Sequence, residues 1–130
     1  MIHHIGVFAS DFEASRAFYT AALRPLGVTA GYETEDISEF WRPADDTPSL
    51  SLERAVDQQT RGLHVAFAAS DRDAVDAFFL AATAAGGRPR HEPRYWPEYR
   101  AYCAFVTDPD DNNVEAVHKE IPATPTNGTG

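Results

Sequence analysis

Two histidines and a glutamate carry the chemistry that the sequence offers. His4 and His64 each open a segment in which apolar and polar residues alternate, and Glu115 stands between Val114 and Ala116. Alternation of period two is the pattern of a strand with one buried face. Ile5 and Val7 take that face in the first segment and leave His4 on the other. Val65 and Phe67 do the same for His64, and Val114 and Ala116 for Glu115. Leu50 and Leu52 likewise turn Ser51 and Glu53 outward. In a sheet that curls, these polar residues converge. Imidazole and carboxylate together suit a divalent ion such as Zn, Ni, Fe or Mn, and two His with one carboxylate leave coordination positions open. A metal held there polarises a carbonyl or hydroxyl as a Lewis acid. The competing reading is structural, since a lone strand histidine is commonly just hydrogen-bonded. The equivalent placement of His4 and His64, with Glu115 on the matching face, is the argument for metal. His3 and His118 fall on the opposite faces and read as surface or edge residues.

A second group is the run from Arg94 to Tyr102, dense in aromatic rings and guanidinium groups. As pocket lining, Arg94, Tyr95, Trp96, Tyr99 and Arg100 stack on a flat ligand and pair its acidic group. As plain structure, the same aromatics cover a sheet edge. Tyr102 is the candidate acid–base group beside the metal, with packing as its alternative role. Cys103, beside Phe105 in a strand-like segment, reads as a buried inert thiol. No glycine loop of the phosphate-cradling kind is visible, so no nucleotide cofactor is expected.

The elements that position these residues follow from an internal repeat. The segment from His4 to Asp11 matches that from His64 to Asp71 at constant offset, and Ala17-Phe18-Tyr19 matches Ala77-Phe78-Phe79. Each copy reads as a strand feeding a helix, over about 11–23 and 71–85. Ser10 and Ser70 are the expected N-caps, with Glu13 and Asp73 three residues on. Gly27 and the pair Gly86-Gly87 stop the helices. Strand-like segments follow at 28–33, 37–42 and 50–54, then at 88–92, 102–107 and 113–118, with Asp108 to Asn112 as a hairpin turn. The expected organisation is one α+β domain over 1–120, with module one at 1–54, a linker at 55–62, module two at 63–120 and a disordered tail at 121–130. Exposed sheet edges are commonly covered, which predicts a homodimer.

Composition narrows the functions. The chain has 130 residues, 43% of them hydrophobic, and a formal net charge of -9. That acidity argues against nucleic acid as a partner, because a phosphate-binding surface needs the opposite sign. No apolar run is long enough to cross a bilayer and no signal peptide is visible, so a cytoplasmic setting and no membrane partner are expected. A single cysteine rules out an internal disulfide.

Taken together, His4-Ile5-Gly6-Val7 with Ser10-Asp11 and Arg16-Ala17-Phe18-Tyr19 resembles the opening of vicinal oxygen chelate proteins, the superfamily of glyoxalases, bleomycin-resistance proteins and extradiol dioxygenases. His64-Val65-Ala66-Phe67 resembles the start of their second module. Phe105-Val106, Asp108-Pro109-Asp110 and Asn112 to Val117 resemble their closing hairpin. The resemblance implies two βαβββ modules forming an eight-stranded cup, with metal ligands on the first, fourth, fifth and eighth strands. The matching positions are His4, His64 and Glu115. Glu53 would complete a glyoxalase-like set of four, as a catalytic ligand. If Ser51 holds the fourth-strand position, the set is two His and one Glu, as in the dioxygenase branch. Two departures stand out. Asp111 replaces the glycine common in the closing turn, and Trp96 stands where many relatives have histidine. The implied function is a metal-dependent enzyme, a lyase, isomerase or dioxygenase, on a small oxygenated molecule. The alternative is a metal-free binder that sequesters a small-molecule ligand.

Overall fold

A computed structural model describes residues 2–45 and 47–120; the expected tail lies outside the described residues. The strands are β1 (Ile5–Ala9), β2 (Thr29–Glu33), β3 (Ile37–Arg42), β4 (Thr47–Arg54), β5 (His64–Ala68), β6 (Arg88–Trp96), β7 (Ala101–Thr107) and β8 (Asn113–Lys119). The helices are α1 (Phe12–Leu23) and α2 (Arg72–Ala84). The strands form two four-stranded sheets of like topology, β1-β4-β3-β2 and β5-β8-β7-β6. In each, the first strand runs parallel to the last and the other pairs are antiparallel. The repeat in sequence is thus a repeat in space. Among the described residues, no helix is long and apolar enough to cross a membrane.

Helix starts differ by one residue from expectation. Asp11 and Asp71, not Ser10 and Ser70, are the N-caps, accepting from the backbone N–H of Ala14 and Ala74. A carboxylate there also meets the positive end of the helix dipole. Ser10 is instead engaged by Asp110, which accepts from both its N–H and its Oγ. Strand β6 runs four residues further than expected and draws Arg94 to Trp96 into the sheet, leaving a short turn at 97–100.

One core serves both modules. Phe12, Phe18, Tyr19 and Leu23 of α1 and Val75, Phe78 and Ala82 of α2 join Val7, Leu50 and Leu52 of the first sheet and Ala104, Val106, Val114 and Ala116 of the second. Each large side chain so buried contributes about 1.5–3 kcal/mol. Arg42 bridges the modules, donating to the carbonyls of Leu26 and Ala68. Packing in the core is tight at Gly87, where a Cβ would lie 2.5 Å from Val106 Cγ1, 2.6 Å from Phe18 Cε1 and 2.9 Å from the Ala82 carbonyl oxygen.

The hairpin before β8 is locked by a buried carboxylate. Asp108 accepts from the Tyr19 hydroxyl at 2.7 Å, the N–H groups of Asp110 and Asn112, and the Asn112 amide. Asn112 in turn accepts from the Leu63 N–H and donates to the Thr60 carbonyl. Asp111 takes the left-handed conformation that the turn requires, with φ 67°.

Two outcomes are expected. Gly87→Ala destabilises the fold by about 1–3 kcal/mol through overpacking, read from denaturant midpoints. Tyr19→Phe costs about 1.5–3 kcal/mol, the range for a hydrogen bond to a charged group. Burial first, then the Asp108 charge, raises the Tyr19 phenol well above its ordinary 10.0. Folding raises this pKa, so its stabilisation is complete below the ordinary value and is lost as pH rises through the folded value. Stability of the unaltered protein therefore falls more steeply than that of Tyr19→Phe as pH rises from the ordinary value towards the raised folded one.

Candidate functional site

The outer face of the second sheet, away from α2, carries a cavity of about 500 Å³. Its lining comes from β5 to β8 and the turn after β6: His64, Arg90, His91, Trp96, Tyr99, Ala101, Cys103, Phe105, Asn113, Glu115, Val117 and Lys119 are all in the second module. A larger depression of about 790 Å³ lies along α1, but it is an open groove with charged walls from Glu13, Arg16, Arg24 and Glu33. The smaller cavity is the better candidate, because apolar walls with a few convergent polar groups are what small-molecule pockets share.

Register explains which side chains reach it. Strands β5 and β8 pair with Ala66 opposite Glu115, which sets Glu115 one step along from His64 on the same face. His64 Nε2 donates to Glu115 Oε1 at 2.7 Å. Glu115 is nearly buried while the His64 side chain is 55% exposed, so the pair stands at the wall of the cavity. Phe105 forms the floor, its ring centroid 6.0 Å from His64, 5.3 Å from His91 and 5.7 Å from Trp96. Among the described residues, three buried side-chain polar atoms have no hydrogen-bond partner; Trp96 Nε1 and Asn113 Oδ1, two of them, belong to cavity residues.

The first sheet holds the other half of the expected set. His4 is exposed and hydrogen-bonded through Nδ1 to His3 at 2.8 Å. A Cβ at Gly6 would lie 3.9 Å from Glu53 Oε2, so the Glu53 carboxylate leans over the outer face of β1. Gly6 pairs with Ser51, as Ala66 pairs with Glu115 in the second sheet. By register, Ser51 occupies the position equivalent to Glu115, and Glu53 lies one step beyond. The two sheets pack through their helices around one core, so their outer faces turn away from it and the two half-sets do not meet in one chain. Among the described residues, no group of three His, Cys, Asp or Glu is placed to hold a metal ion. His64 and Glu115 alone are too few donors for a divalent ion and His91 is not grouped with them, so the described residues of the single chain do not fit a resident metal.

The aromatic run divides between faces. Trp96 and Tyr99 line the cavity. Tyr102 does not: it turns to the helix side, where its hydroxyl donates to Asp76 at 2.8 Å and Arg72 stacks 4.6 Å from its ring. The hydrogen bond to Asp76, then burial, raises its pKa, which suits a structural phenol rather than an acid–base group. Tyr95 lies with it, 5.7 Å from the Arg72 guanidinium. Arg94 covers the Trp96 ring at 3.4 Å, and Arg100 takes the left-handed turn position with φ 49°. Neither lines the cavity. His91 and Arg90, which do, were not singled out by sequence reasoning. Two irregularities in the β6–β7 register, between Pro89 and His91 and between His91 and Arg94, put His91 and Trp96 on one face despite their odd spacing. A single bulge reverses strand parity, and nothing in the local sequence marks where it falls.

Cys103 lies in the cavity wall but is only 2% exposed. Burial, followed by the adjoining Glu115, pushes its thiol up to about 12. Iodoacetamide at about pH 8 should therefore label the native chain slowly and the urea-unfolded chain at the rate of a free thiol. Rapid labelling of the native protein, followed by mass spectrometry, would contradict this.

The family model for the Glyoxalase/Bleomycin resistance protein/Dioxygenase superfamily matches residues 1–116. The chain is similar to a glyoxalase/bleomycin resistance protein from Albidiferax ferrireducens T118, with 30% identity, a TM-score of 0.78, and 92% of this chain and 98% of that one covered. It shares its fold with a glyoxalase-related enzyme from Fulvimarina pelagi, at 19% identity and a TM-score of 0.71, covering 92% and 88% of the two chains. It also shares its fold with a lactoylglutathione lyase from Agrobacterium tumefaciens, at 20% identity and a TM-score of 0.66, covering 95% and 97%. No match was found among curated proteins. With its two repeated strand–helix modules, its closing hairpin and a family match over nearly its whole length, the chain belongs to the Glyoxalase/Bleomycin resistance protein/Dioxygenase superfamily.

Proposed function

We propose that the chain binds a small, flat, oxygen-bearing molecule in the cavity on the outer face of the second sheet. The observation that carries this is the convergence, in about 500 Å³, of the Trp96, Tyr99 and Phe105 rings with the His64–Glu115 pair and His91. The rings take an aromatic or other planar body, and the hydrogen-bonded pair takes a hydroxyl or carbonyl oxygen at one end. Such division between an apolar floor and few polar groups gives both affinity and orientation. 2-Naphthol is a suitable probe. Calorimetry should show it binding the unaltered chain, and Trp96→Ala and Phe105→Ala should each weaken it about tenfold, the loss of one aromatic contact. Val56→Ser, at a site 95% exposed in the connection between modules, should leave binding unchanged. Equal binding by all variants would place the probe elsewhere.

A second reading is a metal-dependent enzyme of lyase, isomerase or dioxygenase type whose site is completed between two copies in a homodimer. What favours it is the exposed outer face of the first sheet. Phe8 is 42% exposed and Tyr32 53% exposed beside the face that carries His4, Ser51 and Glu53. Laid over the second sheet of another copy, that face brings His4 to His64 and Glu115, giving two imidazoles and a carboxylate. Zn, Ni, Fe or Mn bound there would supply Lewis-acid chemistry to a ligand oxygen. Glu53 is the remaining carboxylate on that face, available as a further ligand or base. The test is complementation in tag-free protein. His4→Ala and His64→Ala should each lose zinc, and a mixed dimer of the two variants should regain one of its two sites. A monomer in sedimentation, or no recovery on mixing, would remove this reading and leave the binding cavity intact.

A further inference from the structure

We infer that the cavity selects an aromatic anion, a planar molecule whose carboxylate or similar group is held at Arg90 while its ring lies on Phe105 and Trp96. This rests on the cavity being the binding site and specifies the ligand class it takes. The chain carries a net charge of -9, yet the cavity is lined by two permanent cations, Arg90 and Lys119, and a single carboxylate, Glu115. Glu115 is already hydrogen-bonded to His64, and Lys119 donates to the Tyr99 carbonyl. Arg90 forms no ion pair among the described residues, whereas Arg54, Arg72 and Arg88 all do. Arg90 is therefore the cation left to a ligand. A planar guanidinium accepts a carboxylate through two parallel hydrogen bonds, which fixes orientation as well as sign.

Distance across the sheet agrees with this assignment. Arg90 and His91 stand on β6, Phe105 on β7 and Glu115 on β8. Two inter-strand spacings separate β6 from β8, about 10 Å. That is close to the long dimension of a two-ring aromatic acid, so the charged end reaches β6 when the ring covers Phe105. It also separates Arg90 from the His64 end, where any residues of a second copy would enter. His91, T-shaped to both Phe105 and Trp96, closes the ring's side of the cavity.

The inference is tested by calorimetry on the full chain with three probes of one shape and different charge: 2-naphthoate, 2-naphthamide and 2-naphthylmethylammonium. The expected result is that naphthoate binds about tenfold tighter than the amide, the cation binds weakest, and added salt erodes the difference. Arg90→Gln, an exposed position, should collapse the preference for naphthoate over the amide. Equal affinity for naphthoate and the amide in the unaltered chain, or a preference that survives Arg90→Gln, would overturn the inference while leaving the binding cavity in place. Failure of all three probes and of 2-naphthol would overturn both.

Discussion

The buried carboxylate of Asp108 is the interaction on which the arrangement of the site depends. It is 4% exposed, and an unpaired charge at such a position would be strongly unfavourable. Among the described residues no cation pairs with it. Four neutral donors do, from Tyr19 in α1, from Asp110, and twice from Asn112. The first ties the hairpin to the other module, and the rest shape the turn that launches β8. The Asn112 side chain then holds the approach to β5 through Leu63 and Thr60. One carboxylate thus sets the relation of β5 to β8, and with it the 2.7 Å contact between His64 and Glu115.

The two modules are unequal in the residues on their outer faces. They repeat in sequence and topology, but sheet two has Glu115 where sheet one has Ser51. Beside it, sheet two has the small Ala66 and an aromatic floor, and sheet one has Gly6 under the Glu53 carboxylate. Among the described residues, the second sheet's outer face carries the walled cavity of about 500 Å³. The first sheet presents an open surface with Phe8 and Tyr32 exposed. Because the helices of both modules share one core, the two polar faces turn to separate surfaces of the chain.

Cavity chemistry follows from this separation. With His4 and Glu53 on the other sheet, the cavity loses two anionic or metal-binding groups and is left with Arg90 and Lys119 against one carboxylate. Tyr102 and Tyr95 are withdrawn to the helix side, where Arg72 lies over both rings with Asp76 and Glu120 nearby. That cluster fastens α2 to β7 and the end of β8, and it leaves the aromatic lining to Trp96, Tyr99 and Phe105.

The sequence by itself determined the elements and most of the faces. Period-two alternation put His64 and Glu115 on one face and His118 on the other, and the repeat of His4 to Asp11 at His64 to Asp71 announced two like modules. These are local properties, fixed by side-chain period and by which residues avoid water. Alternation around Tyr102, with Ala104 and Val106 on its side and Cys103 and Phe105 on the other, also carried its true orientation, though the density of aromatics suggested otherwise. Tertiary structure decided the rest. The bulges that bring Arg90 and His91 beside Trp96 depend on how β6 fits β7, not on β6 alone. Whether His4 meets His64 depends on which faces of the two sheets pack, and the apolar faces of two helices joined in one core sent those histidines to separate surfaces.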